Sequence, residues 1–227
     1  PRIVPVSLPQ GVSPQLEQLF AQFRTLKGRV LNRIVLAGAV ALAILEGITM
    51  SSQWTTFRLA LARVPFGVED PQFGQDVGFY VFMLPVLDAL SQWLWGILVL
   101  TTILTALVHL VGGGIQPWAR MKSIAPHVKA HLSVLFALLV LSRAFTYWLS
   151  IWNLSFSPRG QVVGASYTDV NAQLPAYRIL IVISIATAVL LLLNIRYRGW
   201  RLPALALGVW LVASLALAGV WPAAVQR

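Results

Sequence analysis

The sequence predicts an all-α protein, a polytopic bundle of five transmembrane helices with its amino end inside and its carboxyl end outside. Hydrophobic residues make up 58% of the 227 residues and charged residues only 11%, whereas a soluble domain has roughly 25% charged residues. Five apolar stretches are long enough to cross a hydrocarbon core of about 30 Å, which takes about 20 helical residues. Lysine and arginine concentrate in alternate connections between these stretches.

The predicted spans are bounded by proline or glycine. The first begins near Leu31, is strongly apolar to Met50 and continues through a more polar turn, so that it overshoots the membrane or bends. The domain boundaries follow: a cytoplasmic segment at 1–30, spans at 31–62, 87–111, 130–152, 176–195 and 202–225, and outer loops at 63–86 and 153–175. Residues 13–30 place apolar side chains on one helical face, which predicts an amphipathic helix on the inner leaflet. A partner-binding helix is the alternative.

Orientation follows from the distribution of charge. Most of the 17 lysines and arginines lie in the amino-terminal segment and in the second and fourth connections, and the positive-inside rule places these in the cytoplasm. Acidic residues such as Glu69, Asp88 and Asp169 fall on the opposite side. The net charge of +10 does not indicate nucleic acid, because the basic residues flank apolar stretches. They predict contact with membrane lipids.

Two ionisable residues fall inside predicted spans. Glu46 and Arg143 each lie about 20 Å from the cytoplasmic end of their helix, at 1.5 Å per residue. Ionisable side chains at this depth usually face a protein interior. We therefore predict a buried Glu46–Arg143 pair that ties the first span to the third. A proton or ion relay and the absence of any contact are the alternatives.

Three histidines are predicted to gather at the cytoplasmic boundary. His109 ends the second span, and His127 and His131 stand four residues apart at the start of the third. This spacing puts two imidazoles on one helical face, as metal or haem ligation can use. No carboxylate lies nearby in sequence, and the chain has no cysteine. Interfacial histidines without metal are the preferred interpretation, and no cofactor is predicted.

The outer loops carry a polar cluster. Residues 66–85 are aromatic and acidic, which suits a segment at the outer interface, and residues 160–175 add further polar side chains. The cluster comprises Glu69, Asp70, Asp76, Tyr167, Asp169 and Asn171. A solvated or hydrogen-bonded role is preferred, because the acidic residues do not follow calcium-loop spacing. No nucleophile elbow or phosphate-binding loop is present in the sequence.

Four separated motifs carry a resemblance to a known family. They are the FG, DP, FYVF and LP elements of residues 66–85, GASYTDVNAQLP at 164–175, WRLPA at 200–204, and GVWPAAVQ at 219–226. Together they resemble uncharacterised protein family 0182, a bacterial family of large membrane proteins. The resemblance implies seven membrane helices followed by a large extracytoplasmic domain. This chain would then be an excerpt holding helices three to seven, in the bacterial cell membrane. The resemblance assigns no functional residues.

The preferred functional interpretation is a non-enzymatic membrane anchor and scaffold. It would hold an extracytoplasmic domain at the envelope and contact other membrane proteins. The first alternative is a transporter or channel component with Glu46 and Arg143 in a polar path. The second is a lipid-handling membrane enzyme, which would require several of Asp70, Asp76 and Asp169 to converge on one cleft.

Overall fold

The computed structural model describes residues 28–111, 114–115, 124–158, 163–197 and 199–225. Within these ranges the chain is helical, apart from loops and two isolated β-bridges. The seven α-helices found there are α1 Gly28–Ser51, α2 Trp54–Leu61, α3 Leu84–Val111, α4 Pro126–Asn153, α5 Leu174–Tyr197, α6 Arg201–Leu215 and α7 Trp221–Val225. The amphipathic helix predicted at 13–30 lies almost entirely outside the described residues.

Four of the helical segments are continuous, apolar and long enough to cross a membrane: Phe79–Leu110, Pro126–Phe156, Asp169–Tyr197 and Arg201–Val220. A fifth crossing exists if α1 and α2, which meet at an angle of 55°, form one span. The all-α prediction is therefore confirmed, with four or five helical segments of membrane-spanning length and composition in the part of the chain described.

The bend between α1 and α2 lies at the polar turn after Met50. Three hydroxyls there donate hydrogen bonds back to main-chain carbonyls: Thr49 to Leu45, Ser51 to Ile48 and Ser52 to Thr49, at 2.7–3.0 Å. Such bonds compete with the helical ladder and bend helices. The polar turn predicted to interrupt the first span therefore marks the bend.

Three single π-helical turns adjoin proline residues. They span Phe79–Met83, Asp169–Gln173 and Ala216–Val220, and each is followed after one residue by Pro85, Pro175 or Pro222. In each case the residue before the proline donates its N–H five residues back, to Phe79, Asp169 or Ala216. Proline lacks an N–H and its ring clashes with the carbonyl four residues earlier, so a wider turn lets the helix continue. The helices of membrane-spanning length therefore begin at Phe79 and Asp169, ahead of the apolar stretches predicted to span from residues 87 and 176.

Each long helix packs mainly on its neighbour in sequence. α4 contacts both α3 and α5, α5 also contacts α6, and α1 contacts α3 only over a short stretch. The buried centre of the α4–α5 contact is Ala137, Val140, Ala188 and Leu191. A second cluster joins α3 to α4 through Tyr80, Leu84 and Leu149. α1 contributes little to this core, and Leu36 and Ile48 remain 64% and 62% exposed.

Polar side chains join neighbouring helices across these contacts. Asn194 of α5 is fully buried and donates to Ser133 Oγ of α4 at 3.1 Å. Trp210 of α6 donates to Ser184 Oγ of α5 at 2.8 Å, and the Ser91 and Thr146 hydroxyls of α3 and α4 are 2.9 Å apart.

The two predicted outer loops, as far as the structure describes them, lie at the same end of the bundle. We call the loop end the segments 62–78, 157–158 and 163–168 together with the helix ends they join. The rings of Tyr80 and Phe156, 5.9 Å apart, place the start of α3 beside the end of α4. Contacts of α7 with the Asp169–Gln173 turn place the end of α6 there as well. The three proline-adjacent π turns therefore all lie at the loop end.

Candidate functional site at the loop end

Asp76 organises the first loop through the main chain. Its carboxylate accepts N–H groups from Phe66 at 3.1 Å, Gly67 at 2.8 Å and Gly78 at 2.6 Å. The N–H of Phe66 is the largest influence on the pKa of Asp76, and the three N–H groups together lower that pKa against the smaller opposing effect of burial. The side chain thus holds both ends of the loop.

Asp70 ties the same loop to two helices. Its Oδ2 accepts the Tyr80 hydroxyl at 2.7 Å and the Ser155 hydroxyl at 2.9 Å, while Oδ1 accepts the N–H of Gln72 at 2.9 Å. Partial burial by itself would raise the pKa of Asp70. The hydrogen bonds outweigh this effect and lower the pKa below 3.8. Tyr80 and Ser155 were not predicted, and only their polarity within aromatic segments could have signalled them.

Asp70→Asn should weaken the attachment of the loop at neutral pH. Hydrogen bonds to charged groups contribute about 1.5–3 kcal/mol each when buried, and solvent screening here reduces the expected total loss to about 2 kcal/mol. Because the folded pKa lies below the unfolded one, this stability is complete above the unfolded value of 3.8 and is lost as the pH falls through the folded pKa. Thermal unfolding measured from pH 7 to pH 3 should therefore show a smaller acid effect in the variant.

The control for this prediction is Glu69→Gln. Glu69 is exposed and joins Asp76 only through a main-chain β-bridge, so its neutralisation should leave the unfolding temperature unchanged. Equal acid sensitivity in the wild type and in Asp70→Asn would contradict the role assigned to the carboxylate.

Aromatic rings pack the first loop onto α4. Trp152 makes edge contacts with Phe73 of the loop and Phe79 of the π turn, at 5.9 and 5.6 Å between ring centroids. Below them, the Asn153 amide donates to both carboxylate oxygens of Asp88 at 3.1 and 3.0 Å, joining α3 to α4. The loop is therefore a packed cap over the ends of two helices.

The second loop forms its own structure. Asp169 is fully buried and accepts the N–H and hydroxyl of Ser166 at 3.0 and 2.7 Å. The Asn171 amide donates to the Tyr167 carbonyl at 2.9 Å, and the Tyr167 side chain is 77% exposed. The hydrogen bonds of Asp70 and Asp76, in contrast, run within the first loop and to Tyr80 and Ser155. The predicted cluster therefore consists of two locally organised groups.

The three histidines come together as expected from their positions. His109 Nε2 lies 3.3 Å from His131 Nδ1, and the His109 ring centroid lies 6.0 Å from that of His127. His127 and His131 are exposed. They join the end of α3 to the start of α4, at the end of the bundle opposite the loop end. Among the described residues, no group of three or more His, Asp or Glu side chains is arranged to hold a metal ion.

Glu46 and Arg143 do not form an ion pair in the described part of the chain. Glu46 is half-buried, as are Leu42 and Met50, and this four-residue spacing defines the face of α1 that turns toward the bundle. Arg143 instead places its guanidinium carbon 4.3 Å from the centroid of the Trp95 ring on α3. The predicted pair is absent because equal depth in two helices does not make their side chains face each other.

The cation–π contact offsets only part of the free-energy cost of placing the Arg143 charge in a membrane. Such contacts contribute about 0.5–2 kcal/mol, whereas an arginine at the centre of a bilayer costs at least about 2.5–3.5 kcal/mol. Arg143 is half-buried, so its guanidinium is open to a further partner.

These features define a class of protein: an all-helical chain with four or five apolar segments of membrane-spanning length and a structured loop at one end. Residues 7–227 match the model of one family, described as uncharacterised protein family UPF0182. The chain belongs to this family, as its four motifs predicted.

Relatives in several bacteria support the assignment. The chain is 37% identical over 211 residues to a UPF0182 protein of Frankia alni, an alignment that covers 93% of this chain and 21% of that protein. It is 39% identical over 186 residues to a UPF0182 protein of Thermobifida fusca, covering 82% and 18% of the two chains. It is 33% identical over 228 residues to one of Saccharopolyspora erythraea, covering 100% and 23%. The chain therefore spans about a fifth of the length of these relatives. No solved structure matches it.

Proposed function

We propose that this chain is a membrane anchor and scaffold that holds the remainder of a longer protein at the bacterial cell membrane and contacts other membrane proteins. The main support for this proposal is that many polar side chains form hydrogen bonds within the bundle. Pairs such as Ser133–Asn194 and Ser184–Trp210 bond helix to helix, and the first-loop carboxylates bond within a packed cap. Polar groups committed in this way stabilise a rigid bundle. Interhelical bonds in membranes contribute about 0.6–2 kcal/mol each.

The structured loop end supports the anchoring part of the proposal. Asp70 fastens the first loop to the ends of α3 and α4, and the aromatic contacts of Trp152 cover it. A rigid cap of this kind is a suitable platform for a domain outside the membrane, because it transmits position better than a mobile loop.

The exposed face of α1 supports the proposed contact with other membrane proteins. α1 has the small residues Ala39, Ala43 and Gly47 at four-residue spacing, and all three are exposed. Small residues at this spacing allow helix backbones to approach closely. We propose that a helix of another membrane protein packs on this face.

The partner contact can be tested with a pair of tryptophan variants in the full-length protein. Ala43→Trp blocks the small-residue face of α1, whereas Ala186→Trp places the same side chain on an exposed position of α5. If α1 contacts a partner, proteins that co-purify in mild detergent with the wild type and with Ala186→Trp should be lost with Ala43→Trp. Identical co-purification in all three samples would contradict the contact on α1, and no reproducible co-purifying protein would contradict the scaffold.

The orientation can be tested with two single cysteines, because the chain itself contains none. Tyr167 at the loop end and Tyr197 at the opposite end are similarly exposed, at 77% and 76%. If the loop end faces outward, a membrane-impermeant maleimide should label Tyr167→Cys in intact cells and Tyr197→Cys only after permeabilisation. The reverse pattern would overturn the orientation. Background labelling is measured on the otherwise identical protein without either substitution.

A further inference from the structure

An apolar groove lies between α3, α4 and α6. Its volume is about 280 Å³, and its lining includes Trp95, Phe136, Leu207 and Trp210. α3 and α6 both flank α4, and their side chains form the two walls. A groove of this size is near the lower limit of ligand pockets, roughly 300–1,000 Å³. That volume is less than one turn of a helix about 10 Å across would occupy, whereas it suits part of a single hydrocarbon chain.

A positive charge lies beside one end of this groove. Arg143 follows Leu139 and Val140, two groove residues, by one helical turn on α4, and its guanidinium lies against Trp95, which also lines the groove. One turn further, the Tyr147 hydroxyl donates to Ser214 Oγ of α6 at 3.1 Å. This bond bridges α4 and α6 and closes the groove beyond the arginine. The groove lining is therefore apolar, and a cationic group lies against its Trp95 wall.

Arg143 has no carboxylate partner among the described residues, and Trp95 occupies only one face of its guanidinium. The N–H groups at the edge of a guanidinium form two parallel hydrogen bonds with phosphate oxygens. Arg143 precedes Trp148 by five residues, about 7.5 Å along the helix. Tryptophans favour the headgroup level, so the guanidinium lies within about two helical turns of that level. A headgroup can therefore approach the guanidinium.

We propose that the groove binds an anionic phospholipid of the surrounding membrane. Its phosphate contacts Arg143, and one acyl chain follows the apolar lining between α4 and α6. An apolar groove and a cationic group lie side by side here. A ligand that has both a hydrocarbon chain and an anionic headgroup matches this arrangement better than a peptide or a free anion. The inference does not depend on the proposed scaffold function.

The test uses native mass spectrometry of the full-length protein in detergent, titrated with phosphatidylglycerol or with zwitterionic phosphatidylcholine. The wild type is expected to bind one phosphatidylglycerol at least tenfold more tightly than phosphatidylcholine. Arg143→Gln should abolish this preference. Arg178→Gln, which removes an exposed arginine on α5, should retain it. Equal affinities for the two lipids in the wild type, or an unchanged preference in Arg143→Gln, would overturn the proposal.

A second variant tests the groove with Arg143 intact. Leu211 lines the groove and is 54% exposed, so Leu211→Trp fills space with little disturbance of the core. It should reduce phosphatidylglycerol binding at least tenfold. Leu205→Trp, on an exposed part of α6 outside the groove lining, should leave binding unchanged. Unchanged affinity in Leu211→Trp would exclude the groove as the acyl-chain site. Inorganic phosphate that binds the site as tightly as phosphatidylglycerol does would show that the hydrocarbon chain contributes nothing and would also overturn the proposal.

Discussion

Ala188→Leu is expected to destabilise the helix bundle strongly. Ala188 is 1% exposed and packs with Ala137, Val140 and Leu191 at the α4–α5 contact. A leucine there has no space unless the two helices separate. Overpacking of this kind typically costs about 1–3 kcal/mol. Separation would also stretch the buried Ser133–Asn194 hydrogen bond, which lies at the same contact. The measurement is the thermal unfolding midpoint of the purified protein in detergent.

A matched control lies two residues earlier on the same helix. Ala186 is exposed, so Ala186→Leu adds the same atoms to the lipid- or detergent-facing surface and should leave the midpoint unchanged. If both variants unfold at the wild-type temperature, α4 and α5 do not pack as closely as described. If both are destabilised equally, the effect does not come from the helix contact.

Gly78→Ala is expected to release the first loop from the bundle. A Cβ at Gly78 would lie 2.7 Å from Asp76 Oδ1 and 2.8 Å from the main-chain oxygen of Val64. Neither atom moves freely, because the Val64 oxygen belongs to the main chain and Asp76 is held by three N–H groups. The loop must therefore open, and trypsin should cleave after the exposed Arg63 about tenfold faster, the equivalent of ~1.4 kcal/mol in local stability.

Gly96→Ala is the control variant for Gly78→Ala. A Cβ at Gly96 in α3 would meet no atom within 4 Å, and alanine favours a helix over glycine by about 1 kcal/mol. Cleavage at Arg63 should be no faster in this variant than in the wild type. Equal rates in Gly78→Ala and the wild type would show that the loop accommodates the added carbon.

The helical class could be predicted because it depends on local composition. Apolar stretches of sufficient length require helices in lipid whatever their partners. The helices themselves begin at Phe79 and Asp169, before Pro85 and Pro175, whereas the apolar stretches alone predicted spans from residues 87 and 176. In the structure, a wider turn before each proline carries the helix through it. A proline close to the start of an apolar stretch is therefore better interpreted as a site for such a turn.

The candidate sites were predicted to different degrees. The histidines meet because the end of one helix and the start of the next adjoin in a hairpin. The Glu46–Arg143 pair was not found because spacing along a helix gives depth but not the direction that a side chain faces. The partners of Asp70 could not be foreseen, since Ser155 lies 85 residues away and the contact depends on how α3 and α4 pack.

The three proline-adjacent π turns give the two ends of the bundle unequal mechanical stiffness. Each wide turn interrupts the regular hydrogen-bond ladder, and all three lie at the loop end. A force applied there would tilt the packed first-loop cap as one rigid unit about these turns. The alanine-rich contact of α4 with α5, farther along the helices, would keep its geometry while the loop end tilts.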